Sequence, residues 1–479
     1  MRIRTRFPYD TAHEDVWIPL PDGTRLYARI WRPITDEPVP ALLEYLPYRL
    51  SDWTAPRDRQ RHPWYAGHGY ASVRVDARGH GNSEGLPGDA YDETGPADGV
   101  AVVHWLAGQE WCSGRVGMFG ISWGGSISLR IAALAPEPLK AIVTVCSTDD
   151  RYDNDVHYMG GSVLAVGMHA RAATTLAFAA RPPDPAHVGD GWKAMWLKRL
   201  EAVHPPIHTW LAHRTRDAYW THGSVCEDYS AIDATVLAVG GWHDPYRDTV
   251  LRLVAHLDPA KVRGLIGPWS HQYPDRGLSP GPSIGFLQET LRWWDQHLKD
   301  EDTGVMSEPL LRSWISESHR PATVYETLPG RWVGDTGWPS KNVTTIAYVL
   351  QGVVVLPVTL DEPRPERLVV RDVAKGEWRL EVDPRYGGTR VHPDGLEFTE
   401  DGVDAYTIQE NDPLSARTRS DWTIRFHRPE TAWDVKIETR SEISGDEHDF
   451  LTSDEMVCKD GDEIVFRRTW VKRIPRTAG

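Results

Sequence analysis

Cysteine is scarce in this chain of 479 residues. The sequence has no Cys-x-x-Cys spacing and only four cysteines: Cys112, Cys146, Cys226 and Cys458. So few cysteines exclude a disulfide framework and predict a reducing, cytoplasmic environment. Long hydrophobic runs are also missing, because nowhere do about 18 apolar residues follow one another, and no apolar stretch follows the basic N-terminus. We therefore expect neither a membrane span nor an export signal.

Positive charge is in deficit too, with 53 Lys and Arg against 68 Asp and Glu and a formal net charge of -15. Binding to nucleic acid or to an anionic membrane requires basic patches, and the sequence has no long Lys/Arg run. Histidines are frequent between residues 151 and 230, but His-Glu-x-x-His and similar metal-ligand spacings are absent. We therefore predict no nucleic-acid partner, no membrane partner and no metal.

What the chain does contain is an alternation of short apolar strands and helical segments. The predicted core strands are residues 41–46, 72–76, 115–119, 141–145, 235–240 and 263–267. The continuous apolar run at 141–145 is typical of a strand buried inside a parallel sheet. Strands that alternate with helices predict an α/β fold.

Two changes of pattern divide the chain. Between the fourth and fifth core strands lies an interruption that is rich in Ala, His and Trp and helical in pattern, as inserted lids often are. After about residue 309, β-rich segments recur between Asp, Gly and Pro turns, which is typical of a β-sandwich. These segments are 344–350, 367–371, 421–426, 433–439 and 463–471. We predict a first core part at 1–150, a helical cap at 151–230, a second core part at 231–308 and a β-sandwich at 309–479.

Two serines, Ser83 and Ser122, lie in Gly-x-Ser-x-Gly sequences, GNSEG and GISWG. A nucleophilic serine in this motif requires a sharp turn between a strand and a helix. Ser122 meets the requirement, because an apolar strand precedes it and small and apolar residues at helical spacing follow it. Ser83 leads into a turn-rich loop instead, which predicts a structural role. We therefore predict that Ser122 is the nucleophile.

A serine nucleophile needs a histidine to take its proton and a carboxylate to orient that histidine. In α/β-hydrolases the order along the chain is serine, acid, histidine, each after a strand. Asp244 and His271 follow the last two predicted core strands, at the edge where open α/β sheets bind ligands. The rival residues fit less well, since Asp233 precedes its strand, Asp248 lies one turn further on and His243 is adjacent to the acid.

The motifs GISWGG, GGWHD and GPWSH, with an early Pro-Tyr pair, resemble the cocaine esterase and X-prolyl dipeptidyl peptidase family of serine hydrolases. The resemblance implies an α/β-hydrolase core with an inserted helical cap and a C-terminal jelly-roll. It also implies a catalytic triad of Ser122, Asp244 and His271. The oxyanion hole would be the hydroxyl of Tyr48 and the backbone N–H of Trp123, two donors aimed at a tetrahedral oxyanion.

Aromatic residues surround these motifs, in a chain that has 22 tryptophans. Trp242, Tyr246 and Trp269 are close in sequence to the acid or the histidine, and aromatic walls would suit a bulky apolar acyl group. We therefore place these three in the substrate pocket. The alternative for the tryptophans is packing around the strand ends.

We predict that the protein hydrolyses a small-molecule ester or amide, or a short peptide, through an acyl-enzyme and without a cofactor. One alternative is an X-prolyl dipeptidyl peptidase, which needs an acid to bind the substrate's free amine. Another is an α-amino ester hydrolase or β-lactam acylase, although Pro245, Tyr246 and Arg247 follow the predicted acid where amine-binding carboxylates would be expected. An arginine there would suit an anionic acyl group.

Three further alternatives concern the type of activity and assembly. An acyl-enzyme can also pass its acyl group to an alcohol or an amine, which would make the protein an acyltransferase. A non-catalytic carbohydrate-binding protein is a different class, although it would be expected to carry a degraded triad. An exposed edge or apolar patch on the sandwich would allow a homo-oligomer.

Overall fold

The structure is a computed structural model that describes residues 3–89, 91–159, 162–322, 325–343, 366–383, 388–431 and 433–476. The α-helices in these ranges are α1 Ala55–Gly67, α2 Thr94–Ala107, α3 Trp123–Ala133, α4 Ala165–Ala179, α5 Pro185–Val188, α6 Trp192–Ala202, α7 Pro206–Ala212, α8 Ala218–His222, α9 Arg247–His256 and α10 Phe286–Leu298. None of these described helices is long and apolar enough to cross a bilayer.

Within the described residues the strands form two large sheets and one small two-stranded sheet. They are β1 Thr11–Pro19, β2 Arg25–Pro33, β3 Val39–Leu46, β4 Ala71–Asp76, β5 Cys112–Ile121, β6 Leu139–Val145, β7 Tyr158–Met159, β8 Ser162–Val163, β9 Thr235–Gly241, β10 Val262–Gly267, β11 Leu311–Ser316, β12 Gly330–Asp335, β13 Glu366–Asp372, β14 Glu377–Asp383, β15 Thr389–Val391, β16 Glu397–Gln409, β17 Asp412–Arg428, β18 Trp433–Gly445, β19 Asp449–Asp460 and β20 Glu463–Pro475.

The first sheet has ten strands in the order β1-β2-β4-β3-β5-β6-β9-β10-β11-β12. Its strands from β4 to β11 are parallel, and antiparallel pairs form both edges. The central strands are buried on both faces, because helices α2, α3 and α9 cover one face and α1 and α10 cover the other. This arrangement confirms the predicted α/β fold and explains why the central strands are mostly apolar.

The last two strands of this sheet lie beyond residue 308, where the second core part was expected to end. Strand β11 pairs in parallel with β10, and β12 then pairs antiparallel with β11. The first four residues of β11 are buried or half-buried and its last two are exposed, so this short strand lacks the long buried run of the central strands. The core sheet therefore extends into the segment that the sequence pattern assigned to the sandwich.

Helices α4 to α8 lie between β6 and β9 and form the cap. The predicted strands after residue 366 fall within β13, β17, β18 and β20, whereas the strand predicted at 344–350 lies outside the described residues. In the described ranges the C-terminal strands form one eight-stranded antiparallel sheet. Alternate residues of β18, such as Val435 and Ile437, are fully buried and pack with Leu176 of α4 and Trp196 of α6. The cap is therefore held between the core and the C-terminal sheet.

Candidate active site

Ser122 lies at the sharp turn between β5 and α3, as predicted. Its backbone φ of 59° is in the left-handed region, which non-glycine residues seldom adopt. A Cβ atom on Gly120 would lie 2.5 Å from the backbone of Gly124, and one on Gly124 would lie 2.5 Å from Leu46 Cδ2. The turn therefore requires glycine at position 120, where the clash is with backbone, whereas a side chain at position 124 would need Leu46 to shift. A strained serine costs roughly 1–3 kcal/mol and persists mainly at functional sites, which points to a function for its hydroxyl.

Asp244 and His271 form a hydrogen-bonded pair. Asp244 follows β9 and is fully buried, and its Oδ2 lies 2.6 Å from Nδ1 of His271. Its Oδ1 accepts a hydrogen bond of 2.7 Å from the backbone N–H of Tyr246. Both oxygens are thus fixed, so the carboxylate can hold the imidazole in one orientation. This is the geometry that a histidine general base requires.

The predicted triad residues follow neighbouring strands of the sheet. Strands β5, β6, β9 and β10 are adjacent and parallel, so their carboxyl ends meet at one edge. Ser122, Asp244 and His271 follow β5, β9 and β10, and the Ser122 N–H donates to the carbonyl of Val145 at the end of β6. One edge of the core therefore carries all three residues.

Cys146 lies beside the pair, and sequence reasoning did not single it out. Its Sγ, a carboxylate oxygen of Asp244 and a ring nitrogen of His271 lie within 4.8 Å of one another. Such donor atoms can bind a metal, but the Asp244–His271 hydrogen bond already uses the carboxylate and the ring. A second such group in the described residues, Glu44, Asp58 and His62, is fully buried and paired with Arg57. Both groups are thus occupied by contacts within the protein.

The two predicted oxyanion donors lie near Ser122. Tyr48 follows β3, and its hydroxyl accepts a hydrogen bond of 3.0 Å from Nη2 of Arg171. Because the phenolic oxygen accepts this bond, its own O–H is free to donate elsewhere. Trp123 is the first residue of α3, where backbone N–H groups have no acceptor within the helix. Both donors therefore have a free proton to offer a ligand.

A cavity of about 340 Å³ opens between the core and the cap. This volume is within the range of small-molecule sites. The residues that line it come from the strand ends and from the cap, and they include Tyr48, Ser122, Trp123, Arg151, Asp155, Arg171, Thr174, Thr175, Phe178 and Tyr246. Ser122 and the two predicted oxyanion-hole residues thus line one cavity.

A buried ionic group forms one wall of this cavity. Asp155 accepts hydrogen bonds of 3.0 Å from Arg151 and from the Tyr246 hydroxyl. Burial alone would raise the pKa of Asp155, but the nearby His157 and Arg151 lower it. Burial, and then the Asp155 charge, raise the pKa of Tyr246 well above its usual value. Asp155 is therefore a carboxylate whose charge is already balanced within the protein.

The three predicted pocket aromatics do not lie together. Tyr246 lines the cavity, and its ring centre is 5.6 Å from that of His271. Trp242 instead donates its indole N–H to the carbonyl of Trp314, and Trp269 is buried with its indole N–H bonded to the carbonyl of Pro282. Neither tryptophan is part of the described cavity lining, so this prediction is corrected for both. They pack around the strand ends.

The other candidates also have definite positions. Ser83 is fully buried, donates to the carbonyl of Asp76 at 2.6 Å and accepts from the N–H of Tyr27, which confirms its structural role. Asp233 is exposed and forms an ion pair with Lys261. Asp248, His243 and Arg247 are exposed as well. The sequence suggested Arg247 as the arginine that would suit an anionic acyl group. The arginine that contacts Tyr48 in the cavity is instead Arg171, which no sequence motif indicated.

Comparison with known proteins adds evidence of ancestry. The sequence profile described as X-Pro dipeptidyl-peptidase (S15 family) matches residues 22–273. The chain is 28% identical over 372 residues to cocaine esterase from Rhodococcus sp. (strain MB1 Bresler), an alignment that covers 71% of this chain and 62% of that protein. The chain thus spans about three fifths of the length of the curated relatives it matches.

Solved structures share the fold. A CocE/NonD family hydrolase from Staphylococcus aureus superimposes with a TM-score of 0.54 at 16% identity, over 82% of this chain and 64% of that chain. An aminopeptidase from the marine sediment archaeon Thaumarchaeota archaeon gives a TM-score of 0.52 at 17% identity, over 84% and 66% of the two chains. These comparisons confirm the resemblance that the motifs predicted and the architecture of core, cap and C-terminal sheet.

Proposed function

The chain belongs to the X-Pro dipeptidyl-peptidase (S15) family, and we propose that it is a serine hydrolase that cleaves an ester or amide bond through an acyl-enzyme. The observation that carries the proposal is the hydrogen bond of 2.6 Å between Oδ2 of the fully buried Asp244 and Nδ1 of His271, on the sheet edge that holds the strained Ser122. An imidazole that is oriented by a carboxylate, at the same sheet edge as a strained serine, is suited to deprotonating that serine.

The reaction would begin when His271 takes the proton of Ser122 and the serine oxygen attacks the substrate carbonyl. The Tyr48 hydroxyl and the Trp123 N–H would donate to the oxyanion, each contributing roughly 3 kcal/mol of barrier lowering. His271 would then protonate the leaving group, and water activated by the same histidine would release the acyl group from Ser122. Asp244 would fix the tautomer of His271 throughout.

The acids of the cavity bear on the choice between an esterase and a dipeptidyl-peptidase. A peptidase that releases X-Pro dipeptides has to bind a free α-amine, for which an available carboxylate is suited. The described acids of the lining already have partners: Asp155 binds Arg151 and Tyr246, Asp98 binds Arg78, Asp92 accepts from Thr94 N–H, and Asp89 accepts from Tyr91 N–H and the Tyr219 hydroxyl. The arginine partners of Asp155 and Asp98 favour a substrate without a free α-amine, whereas family membership favours the X-Pro peptidase as the second candidate.

The test compares two chromogenic substrates, p-nitrophenyl butyrate and Gly-Pro p-nitroanilide, with the wild type and Ser122→Ala. The proposal predicts ester hydrolysis that is lost in the variant, with little anilide release. Equal or faster anilide release would assign the X-Pro peptidase instead. Full activity in Ser122→Ala would refute the nucleophile.

We also propose a cytoplasmic location, which the scarcity of cysteines supports, since the chain has only four. The net charge of -15 supports a small molecule rather than a nucleic acid or an anionic membrane as the partner. Fractionation of the native host's cells would test the location.

A further inference from the structure

Arg171 of helix α4 lines the cavity beside Tyr48 and has no acidic partner in the described part of the chain. Its one side-chain hydrogen bond goes from Nη2 to the Tyr48 hydroxyl. A guanidinium has five N–H donors, so most of them are left for another acceptor. The Tyr48 phenol raises the pKa of Arg171, and the side chain is charged at neutral pH.

Two other arginines of the cavity lining have a carboxylate partner, and a third, Arg130, donates to the backbone carbonyls of Tyr91 and Asp92. Arg78 binds Asp98 at 2.7 Å, and Arg151 binds Asp155 at 3.0 Å. A partly buried cation without a counter-ion is costly, whereas an arginine that meets a carboxylate gains two parallel hydrogen bonds. An anionic group of a ligand would therefore find an unoccupied partner at Arg171.

The position of Tyr48 limits how far this anionic group can be from the reacting carbonyl. Tyr48 would donate to the oxyanion, and Arg171 donates to Tyr48. With hydrogen bonds of about 2.8 Å, a carboxylate on the free edge of the guanidinium would lie roughly 5–7 Å from the oxyanion. Two or three methylene groups between the two carbonyl carbons span such a gap.

We propose that the cavity selects monoesters or monoamides of short dicarboxylic acids, with Arg171 binding the free carboxylate of the acyl group. This inference rests on the proposed hydrolase function, because it specifies the acyl group of the same reaction. Ser122 would attack the esterified carbonyl, and the distal carboxylate would stay bound to the arginine without reacting. Arg171 would thereby determine specificity in addition to positioning Tyr48.

The test uses a matched pair of substrates, mono-p-nitrophenyl glutarate and its neutral methyl ester. The wild type is expected to prefer the anionic substrate in kcat/KM, and Arg171→Met to lose about 10- to 100-fold of that preference, as for the loss of a charged hydrogen bond. Tyr48→Phe is expected to slow both substrates and keep their ratio. Arg216→Met, which changes an exposed cap arginine paired with Asp150, is the matched control and keeps the ratio too.

A second measurement separates this inference from the proposed function. Calorimetry would measure the binding of glutarate to Ser122→Ala and to Ser122→Ala combined with Arg171→Met. If neither ester is hydrolysed but glutarate binds only when Arg171 is present, the hydrolase proposal fails and the anion site stands. Three results would each overturn the specificity proposal. They are equal hydrolysis of both esters by the wild type, an equal loss of rate for both esters in Arg171→Met, and glutarate affinity that is unchanged by Arg171→Met.

Discussion

The buried carboxylate of Asp244 offers the sharpest perturbation of the site. Its two oxygens serve two different donors, the Tyr246 N–H and the His271 ring. In Asp244→Asn only one oxygen remains. If that oxygen stays with Tyr246, the new NH₂ group faces Nδ1 of His271 and forces that nitrogen to accept. The proton then sits on Nε2, so the imidazole can no longer take a proton from Ser122.

The reverse amide orientation does not restore the site. It would place the NH₂ group against the N–H of Tyr246, and leaving a buried donor unsatisfied costs about 1–3 kcal/mol. The inactive tautomer is therefore the more stable arrangement. The wrong tautomer in a serine triad lowers kcat by about 10⁴-fold, which corresponds to roughly 5 kcal/mol of transition-state stabilisation.

Steady-state kinetics on p-nitrophenyl butyrate measure this loss, and Asp248→Asn is the matched control. Asp248 is exposed and lies in the first turn of α9, so its variant should keep wild-type kcat. Thermal unfolding of Asp244→Asn would show that it is folded. A loss below tenfold in a folded Asp244→Asn variant would refute the role assigned to the carboxylate.

Three further predictions follow from local geometry. Ser122→Gly should have a free energy of unfolding in urea about 1 kcal/mol higher than Ser122→Ala. Glycine adopts the positive φ without the strain of roughly 1–3 kcal/mol that alanine retains, but its greater chain entropy in the unfolded state costs roughly 0.5–1 kcal/mol of that gain. Equal urea midpoints for the two variants would contradict the strain. Tyr48→Phe should lower kcat by about 10²- to 10³-fold with KM little changed, and a change below threefold would exclude it from the oxyanion hole. Burial lowers the pKa of His157 to about 4. Since His157 in the unfolded chain takes up a proton near pH 6.5, its contribution to the free energy of unfolding should fall by about 2 kcal/mol from pH 7 to pH 5. Urea midpoints of His157→Phe should therefore fall less over this pH range than those of the wild type. The same pH dependence in variant and wild type would contradict the lowered pKa.

The parts of the fold that follow from local pattern could be predicted from the sequence. Central strands such as 141–145, which is apolar apart from Thr144, are so because helices cover both of their faces, and the turn at Ser122 has glycine at position 120, where a Cβ atom would clash with the backbone. The same locality explains why Asp244 and His271 could be singled out, since each directly follows a strand. Their positions in the sheet then depend only on strand order.

Other features depend on contacts between distant segments. Helix α4 packs against the C-terminal sheet while it also lines the cavity, so neither its Ala-rich pattern nor Arg171 carries a motif. Helix α1 contains Asp58 and His62, which look exposed in sequence but are buried in an ionic group with Glu44. Trp242 and Trp269 are close in sequence to Asp244 and His271, but sequence distance does not determine whether a side chain points into the cavity or packs around the strand ends.

The most direct test of the account is to locate the nucleophile itself. The protein would be treated with a fluorophosphonate, and the modified residue would be identified by peptide mass spectrometry. We expect one adduct, on Ser122, that abolishes ester hydrolysis and does not form in Ser122→Ala. An adduct on another serine that abolishes activity, or inhibition without modification of Ser122, would contradict it.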